Sequence, residues 1–175
     1  MRILIIPLIV AALGVSGTAR ADAMLDQFFG TYRGAGFTEE SAASEKRNTK
    51  REFEMRISPY KEEGFTLVTW TMGNKEADDS NGGKLWTSKA SFQLSQHEGV
   101  YHAMGSTDPL SGRLLSWVRI ADDSLIVYRV AIDNAGVPEF QIFRRSLTTE
   151  GLELSFTAQR DGKRVRRVHG RYVRQ

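Results

Sequence analysis

Apolar and polar residues alternate along this chain with two different periods. Over Asp22–Gly30, Met24, Leu25, Phe28 and Phe29 fall at i, i+1, i+4 and i+5. That spacing predicts a short helix with one apolar stripe, ended by Gly30. Beyond Gly30 the period becomes two. Phe53, Met55 and Ile57 alternate with Glu52, Glu54 and Arg56, and Leu152, Leu154, Phe156 and Ala158 alternate with Glu153, Ser155, Thr157 and Gln159. Further strands are expected at 64–72, 84–95, 99–105, 112–120, 124–132, 138–147 and 164–173, and with a first strand at 31–37 they number ten. The connectors carry turn residues: Asp161-Gly162 has the type I′ hairpin pairing, Asp133-Asn134-Ala135-Gly136 ends on a glycine, and Glu98-Gly99, Asp122-Asp123 and Glu150-Gly151 are equally tight. Short connections make sequential strands pair antiparallel, and closing ten of them removes exposed edges. The expected fold is therefore all-β, an antiparallel up-and-down barrel behind a short N-terminal helix. Two connections are longer, 38–50 and 73–83.

Some central strands are apolar on both faces. Phe65 and Leu67 share one face of 64–72, with Val68, Trp70 and Met72 on the other. Over 112–120, Leu114, Val118 and Ile120 oppose Leu115 and Trp117. Either something covers the outer face, or an apolar lumen is matched by an apolar outer patch. A barrel of ten strands is wide enough to leave a cavity.

The first segment stands apart. Arg2 precedes an apolar run of 13 residues, Ile3–Val15, and Ala19-Arg20-Ala21 places small residues where a signal peptidase cuts. This is the pattern of a secretory signal peptide over residues 1–21, followed by one domain over 22–175, with the periplasm as the expected address. The run is short of the roughly 20 apolar residues of a membrane span. An uncleaved anchor is the competing reading of the same run. No second run of membrane length occurs, so the mature chain has no expected transmembrane segment. With no cysteine, a lipid anchor on sulfur, disulfides and thiolate metal sites are excluded.

Export changes the meaning of charge. The whole chain carries +3. Cleavage removes Arg2 and Arg20 and no acid, leaving 22 bases against 21 acids. Seven bases lie between Arg160 and Arg174 beside one acid, Asp161. Such an end reads as a solvated edge hairpin or as a contact for an anionic surface. Nucleic acid is not an expected partner.

Gly30-Thr31-Tyr32-Arg33-Gly34-Ala35-Gly36 opens the first strand directly after the predicted helix. This resembles the N-terminal signature of the calycin superfamily, the lipocalins and fatty-acid-binding proteins, where Gly-x-Trp begins the first strand behind a helix that plugs the barrel. The Gly-x-aromatic-x-Gly-x-Gly form is most similar to nitrobindin-like barrels of ten strands. Here Tyr32 stands for the Trp, and Gly30, Tyr32, Gly34 and Gly36 are the structural positions. The resemblance implies a late basic residue, Arg171 or Arg174, packed over Tyr32 as a cation–π contact. The Arg-x-Tyr carboxylate clamp of fatty-acid-binding proteins does not carry over, because Arg171 and Tyr172 are adjacent and point to opposite faces. The stretch 38–50 is also too short for the two-helix lid of those proteins.

Three histidines occur. The nitrobindin resemblance implies haem ligation by a C-terminal His, which only His169 could supply. It shares a strand face with Arg167 and Arg171, opposite Val168, Gly170 and Tyr172, which points it outward. His97 is expected in a solvated turn and His102 partly buried beside Val100 and Met104; five residues apart, they form no metal site on one strand. Asp78-Asp79-Ser80-Asn81-Gly82-Gly83 lacks the order of a calcium loop. Asp108–Gly112 reads as a turn, and no catalytic motif is present. The aromatic side chains carry more: Phe65, Trp70, Trp86, Phe92, Trp117 and Tyr128 are the expected apolar wall of a ligand cavity. Arg119, Arg129 and Arg144 are expected to point outward toward acids; any that pointed inward would anchor an anionic headgroup.

The first functional expectation is an exported calycin-like barrel that binds a small apolar or amphiphilic molecule without catalysis and needs no cofactor. A haem-binding nitrobindin-like protein is the first alternative, and an envelope interaction protein with a filled barrel is the second.

Overall fold

A computed structural model describes residues 24–42, 45–72, 85–105 and 108–175. Ten strands follow one another: β1 (Gly30–Ala42), β2 (Glu45–Tyr60), β3 (Gly64–Met72), β4 (Leu85–Leu94), β5 (Val100–Ala103), β6 (Leu115–Ala121), β7 (Ser124–Ile132), β8 (Pro138–Leu147), β9 (Gly151–Arg160) and β10 (Lys163–Arg174). Each pairs antiparallel with the next, and β10 returns to β1, so the sheet is a closed up-and-down barrel. Both residues of the Asp161-Gly162 turn have positive φ, 49° and 70°, as a type I′ hairpin requires.

Three expectations need adjusting. Among the described residues helix covers 24–26, with the chain turning at Gln27 and Phe28; Asp22 and Ala23 of the expected helix lie outside them. The stretch 38–50 is no loop: Thr38–Ala42 of β1 pairs with Glu45–Thr49 of β2. That ladder is held by backbone hydrogen bonds between polar residues and gives no period-two apolar signature. The strand expected at 112–120 begins later, at Leu115, because a 3₁₀ turn over Pro109–Ser111 precedes it. The Asp108 carboxylate accepts from the Leu110 N–H at 3.0 Å, and Gly112 closes the turn at φ 73°. The 73–83 stretch, with its Asp78–Gly83 run, lies outside the described residues.

Alternation divides each strand into lumen and outer positions, and the lumen is filled unequally. At the end where β1 begins, it is solid. Phe65 stacks on Phe92 with centroids 5.1 Å apart and meets Tyr101 edge-on at 5.4 Å, over Met55, Ile57, Leu125 and Val127. The N-terminal turn closes this end, burying Leu25 and Phe28. The Tyr32 hydroxyl donates to the Phe28 carbonyl at 2.8 Å and accepts from Arg174 Nη2 at 2.7 Å. Arg174 also donates to the Gln27 carbonyl, and its guanidinium lies 5.3 Å from the Tyr32 ring centroid. So the cation over Tyr32 is Arg174. Arg171, the other candidate, is exposed on the outer face, because burial of Tyr172 fixes the strand phase. The basic C-terminal hairpin is not an edge, since β10 is paired on both sides.

The β1–β10 seam is unusually close. An ideal Cβ at Gly34 would lie 1.8 Å from the Arg171 carbonyl oxygen, and one at Gly36 2.4 Å from that of His169. Only hydrogen fits there without moving backbone. Gly34→Ala should therefore destabilise the fold by at least the ~1–3 kcal/mol typical of overpacking. Urea unfolding of the variant beside the parent checks this.

Candidate functional site

The half of the barrel away from the plug is open. A cavity of about 460 Å³ lies inside it, within the size range of small-molecule sites. Its apolar wall comes from Phe53, Phe143, Leu154, Phe156, Val168 and Tyr172, and its polar lining includes Thr38, Thr69, Thr71 and Gln141. Each is the inward member of an alternating strand. The Phe143 and Phe156 rings are 4.4 Å apart, and Phe53 and Tyr172 are 6.1 Å apart.

Of the six aromatic residues expected to form this wall, Trp86 alone does so, half-exposed at the mouth. Phe65 and Phe92 belong to the solid half. Trp70 faces outward over an external groove with Arg33, Glu54 and Met72. Trp117 and Tyr128 are paired across β6 and β7 and stack outside the barrel at 5.1 Å. The reason is phase: Ser116 and Val118, and Val127 and Arg129, hold the inward positions on those strands. His102 is exposed rather than partly buried, next to Trp117 on the outer face. His97 is exposed in its turn, and His169 is exposed opposite Phe37 on the outer face. A haem in the cavity would find no histidine among the described lining residues, so these residues do not fit that group. Among the described residues no cluster of three His, Asp or Glu could hold a metal.

The cavity's charge is the unexpected feature. Arg51, Arg145 and Arg166 line it, and no aspartate or glutamate does among the described residues. Arg145 is 4% exposed, and its Nε and Nη1 have no hydrogen-bond partner. Arg129, expected outside, points inward too, whereas Arg119 and Arg144 are exposed as expected. Arg129 Nη2 reaches Ser88 Oγ at 3.5 Å, while its Nε is buried without a partner. The two guanidiniums sit 5.0 and 5.5 Å from the Phe143 centroid, and Arg51 sits 5.7 Å from that of Trp86. Burial, and then the charge of Arg145, push the Arg129 guanidinium down to about 10, so it stays cationic at neutral pH. Burial likewise lowers Arg145, with Tyr172 opposing. Tyr172 supplies no counter-charge: burial raises its phenol above the ordinary value, outweighing the Arg145 charge.

The sequence held a signature of these cations. In a strand of period two, adjacent arginines must face opposite sides. Phe143-Arg144-Arg145 therefore sends one arginine inward, in phase with Phe143, and Arg166-Arg167 does the same beside Val168. Arg51 likewise shares phase with Phe53, Met55 and Ile57.

Comparison with known proteins adds the fold. No family model matches the chain, and no curated protein does. The solved structure of Rv2717c from M. tuberculosis superposes with a TM-score of 0.58 at 14% identity, covering 89% of this chain and 97% of that one. That likeness shows a shared barrel fold. The S-type phycobiliprotein lyase CPES from Guillardia theta also matches, with a TM-score of 0.40 and 8% identity over 93% of this chain and 98% of that one. At 14% identity the likeness to Rv2717c is one of fold alone.

Two of the buried phenols, Tyr32 and Tyr172, set a pH dependence. Burial raises Tyr32 as it does Tyr172, against the hydrogen bond and charge of Arg174. A phenol whose folded pKa lies above its unfolded value holds its proton more tightly when folded. Its contribution is complete below the unfolded pKa, about 10, and is lost as pH rises through the folded pKa. Urea midpoints should therefore fall from about pH 9 to about pH 11, and less steeply in Tyr172→Phe, which has no proton to lose.

Proposed function

We propose that this protein is an exported calycin-like barrel that holds a small apolar or amphiphilic molecule in its open half and performs no catalysis. The carrying observation is the division of the lumen. One half is packed solid behind the N-terminal turn, whereas the other is a cavity of about 460 Å³ walled by phenylalanine, leucine and valine. An apolar wall left unfilled forgoes the dispersion contacts that packing against it would bring. A bound apolar group restores them. Export rests on the charged start, apolar run and small-residue cleavage pattern of residues 1–21. Asp22 should then be the first residue of protein recovered from the periplasm, by N-terminal sequencing.

The neutral dye N-phenyl-1-naphthylamine tests the cavity. It should bind saturably with a blue-shifted rise in fluorescence. Thr69 and Thr71 line the cavity from β3 and are not fully buried, so a large side chain there enters the open space. Thr69→Trp and Thr71→Trp should each weaken the dye by about tenfold, with an unchanged circular dichroism spectrum. Saturable binding that neither variant affects would place the dye elsewhere and overturn this reading.

A further inference from the structure

The cavity's cations have no assigned purpose. A guanidinium removed from water without a partner costs several kcal/mol, and arginine does not relieve this by losing its proton at neutral pH. Structural burial of arginine ordinarily comes with a carboxylate. Arg145 and Arg129 have no such partner among the described residues, while the ion pairs of Arg33 with Glu54, at 3.0 Å, and of Arg160 with Asp133 are external. Arg145 sits at the cavity floor, between Leu125 and Leu154 in the ladders, with two unpartnered nitrogens. Arg129 shares the Phe143 ring with it, and Arg51 and Arg166 stand nearer the mouth. Thr38, also on the lining, has a buried Oγ1 without a partner.

We propose that the cavity takes amphiphiles whose head is an anionic oxygen group, a carboxylate or a sulfate or phosphate monoester, with the head lodged at Arg145 and Arg129. This deepens the lumen reading and rests on it. The head goes in first because Coulomb attraction is strongest where water is excluded, at the floor. The arginines nearer the mouth are more hydrated and draw the anion in rather than hold it. The tail then lies along Phe53, Phe156 and Val168 toward Trp86. A charge-assisted fork to Arg145 supplies the partners its nitrogens lack.

Displacement of N-phenyl-1-naphthylamine from the purified protein tests this, with decanoate, decyl sulfate, 1-decanol and decylamine as competitors of equal tail. Either anion should displace the dye at about tenfold lower concentration than the alcohol, and the amine should be weakest. In Arg145→Met, with each competitor referenced to that variant's own dye affinity, the advantage of anion over alcohol should fall to within about twofold. Arg129→Met should reduce it in part, which keeps the test alive should the first variant not fold. The ligand-free Arg145→Met protein should melt no lower than the parent, since the substitution removes an uncompensated charge and keeps the volume. If the dye binds and decanoate, decyl sulfate and decanol compete equally, the anionic head is wrong and the lumen reading stands. An anion advantage that survives both substitutions equally overturns the assignment to these arginines. If neither the dye nor any decyl compound binds, both readings fall.

Discussion

Closure of the sheet between β1 and β10 is the constraint on which the other features hang. Ten strands paired in sequence order form a ribbon with two free edges until the first strand meets the last. The meeting demands strong local coiling, and Gly34, Gly36 and Gly170 supply it: side chains there would occupy the space of the neighbouring backbone. Once the seam is made, every strand has a neighbour on both sides. The same seam fixes the phase of β10, which decides that Tyr172 and Val168 face the lumen and that Arg171 and His169 do not. A one-residue slip would reverse both sets. The interior charge is thus a consequence of closure as much as of composition.

Within the closed barrel the two halves answer different demands. The plugged half buries Phe65, Phe92, Tyr101 and Phe28 completely, and side chains of that size contribute most per residue to hydrophobic stabilisation. The open half gives up some of that packing and adds buried cations. Domains have only about 5–15 kcal/mol of net stability to lose. An unfilled apolar space and an unpaired buried guanidinium are therefore tolerable together only because the other half is dense and the seam is continuous. The dense core and the cavity are separated along the barrel axis.

The architecture was legible because two of its signals are strictly local. Period-two alternation and turn residues such as Asp161-Gly162 depend on the chain alone, and they place nearly every strand. The Gly30–Gly36 motif and its late arginine were legible too, down to a choice between Arg171 and Arg174. The site was far less so. Trp70, Trp117 and Tyr128 are large and apolar, which is equally compatible with a cavity wall and with an outer face. Aromatic identity carries no phase; phase comes from neighbours, and on β6 and β7 those neighbours are as small as Ser116 or as polar as Arg129. The expectation that arginines point outward follows from the usual cost of burying them. It failed at Arg129, and it hid Arg51, Arg145 and Arg166. Polar pairing beyond Thr38 was invisible for a related reason: a ladder of backbone hydrogen bonds needs no apolar side chains.

Strand β10 joins the two ends of the molecule. Its Arg174 clamps the N-terminal turn through Tyr32 and the Gln27 carbonyl. Two residues earlier, Tyr172 lies against Phe53 and lines the cavity next to the floor arginine. Val168 and Arg166 continue the same face toward the mouth. Plug, floor and wall are thus successive inward positions of one strand, held on one side by β1 and on the other by β9. Strand phase cannot change at one of them without changing at all. For that reason a plug like this one, far from the cavity, still shapes it: it fixes the register that puts Tyr172 and Val168, rather than Arg171 and His169, inside.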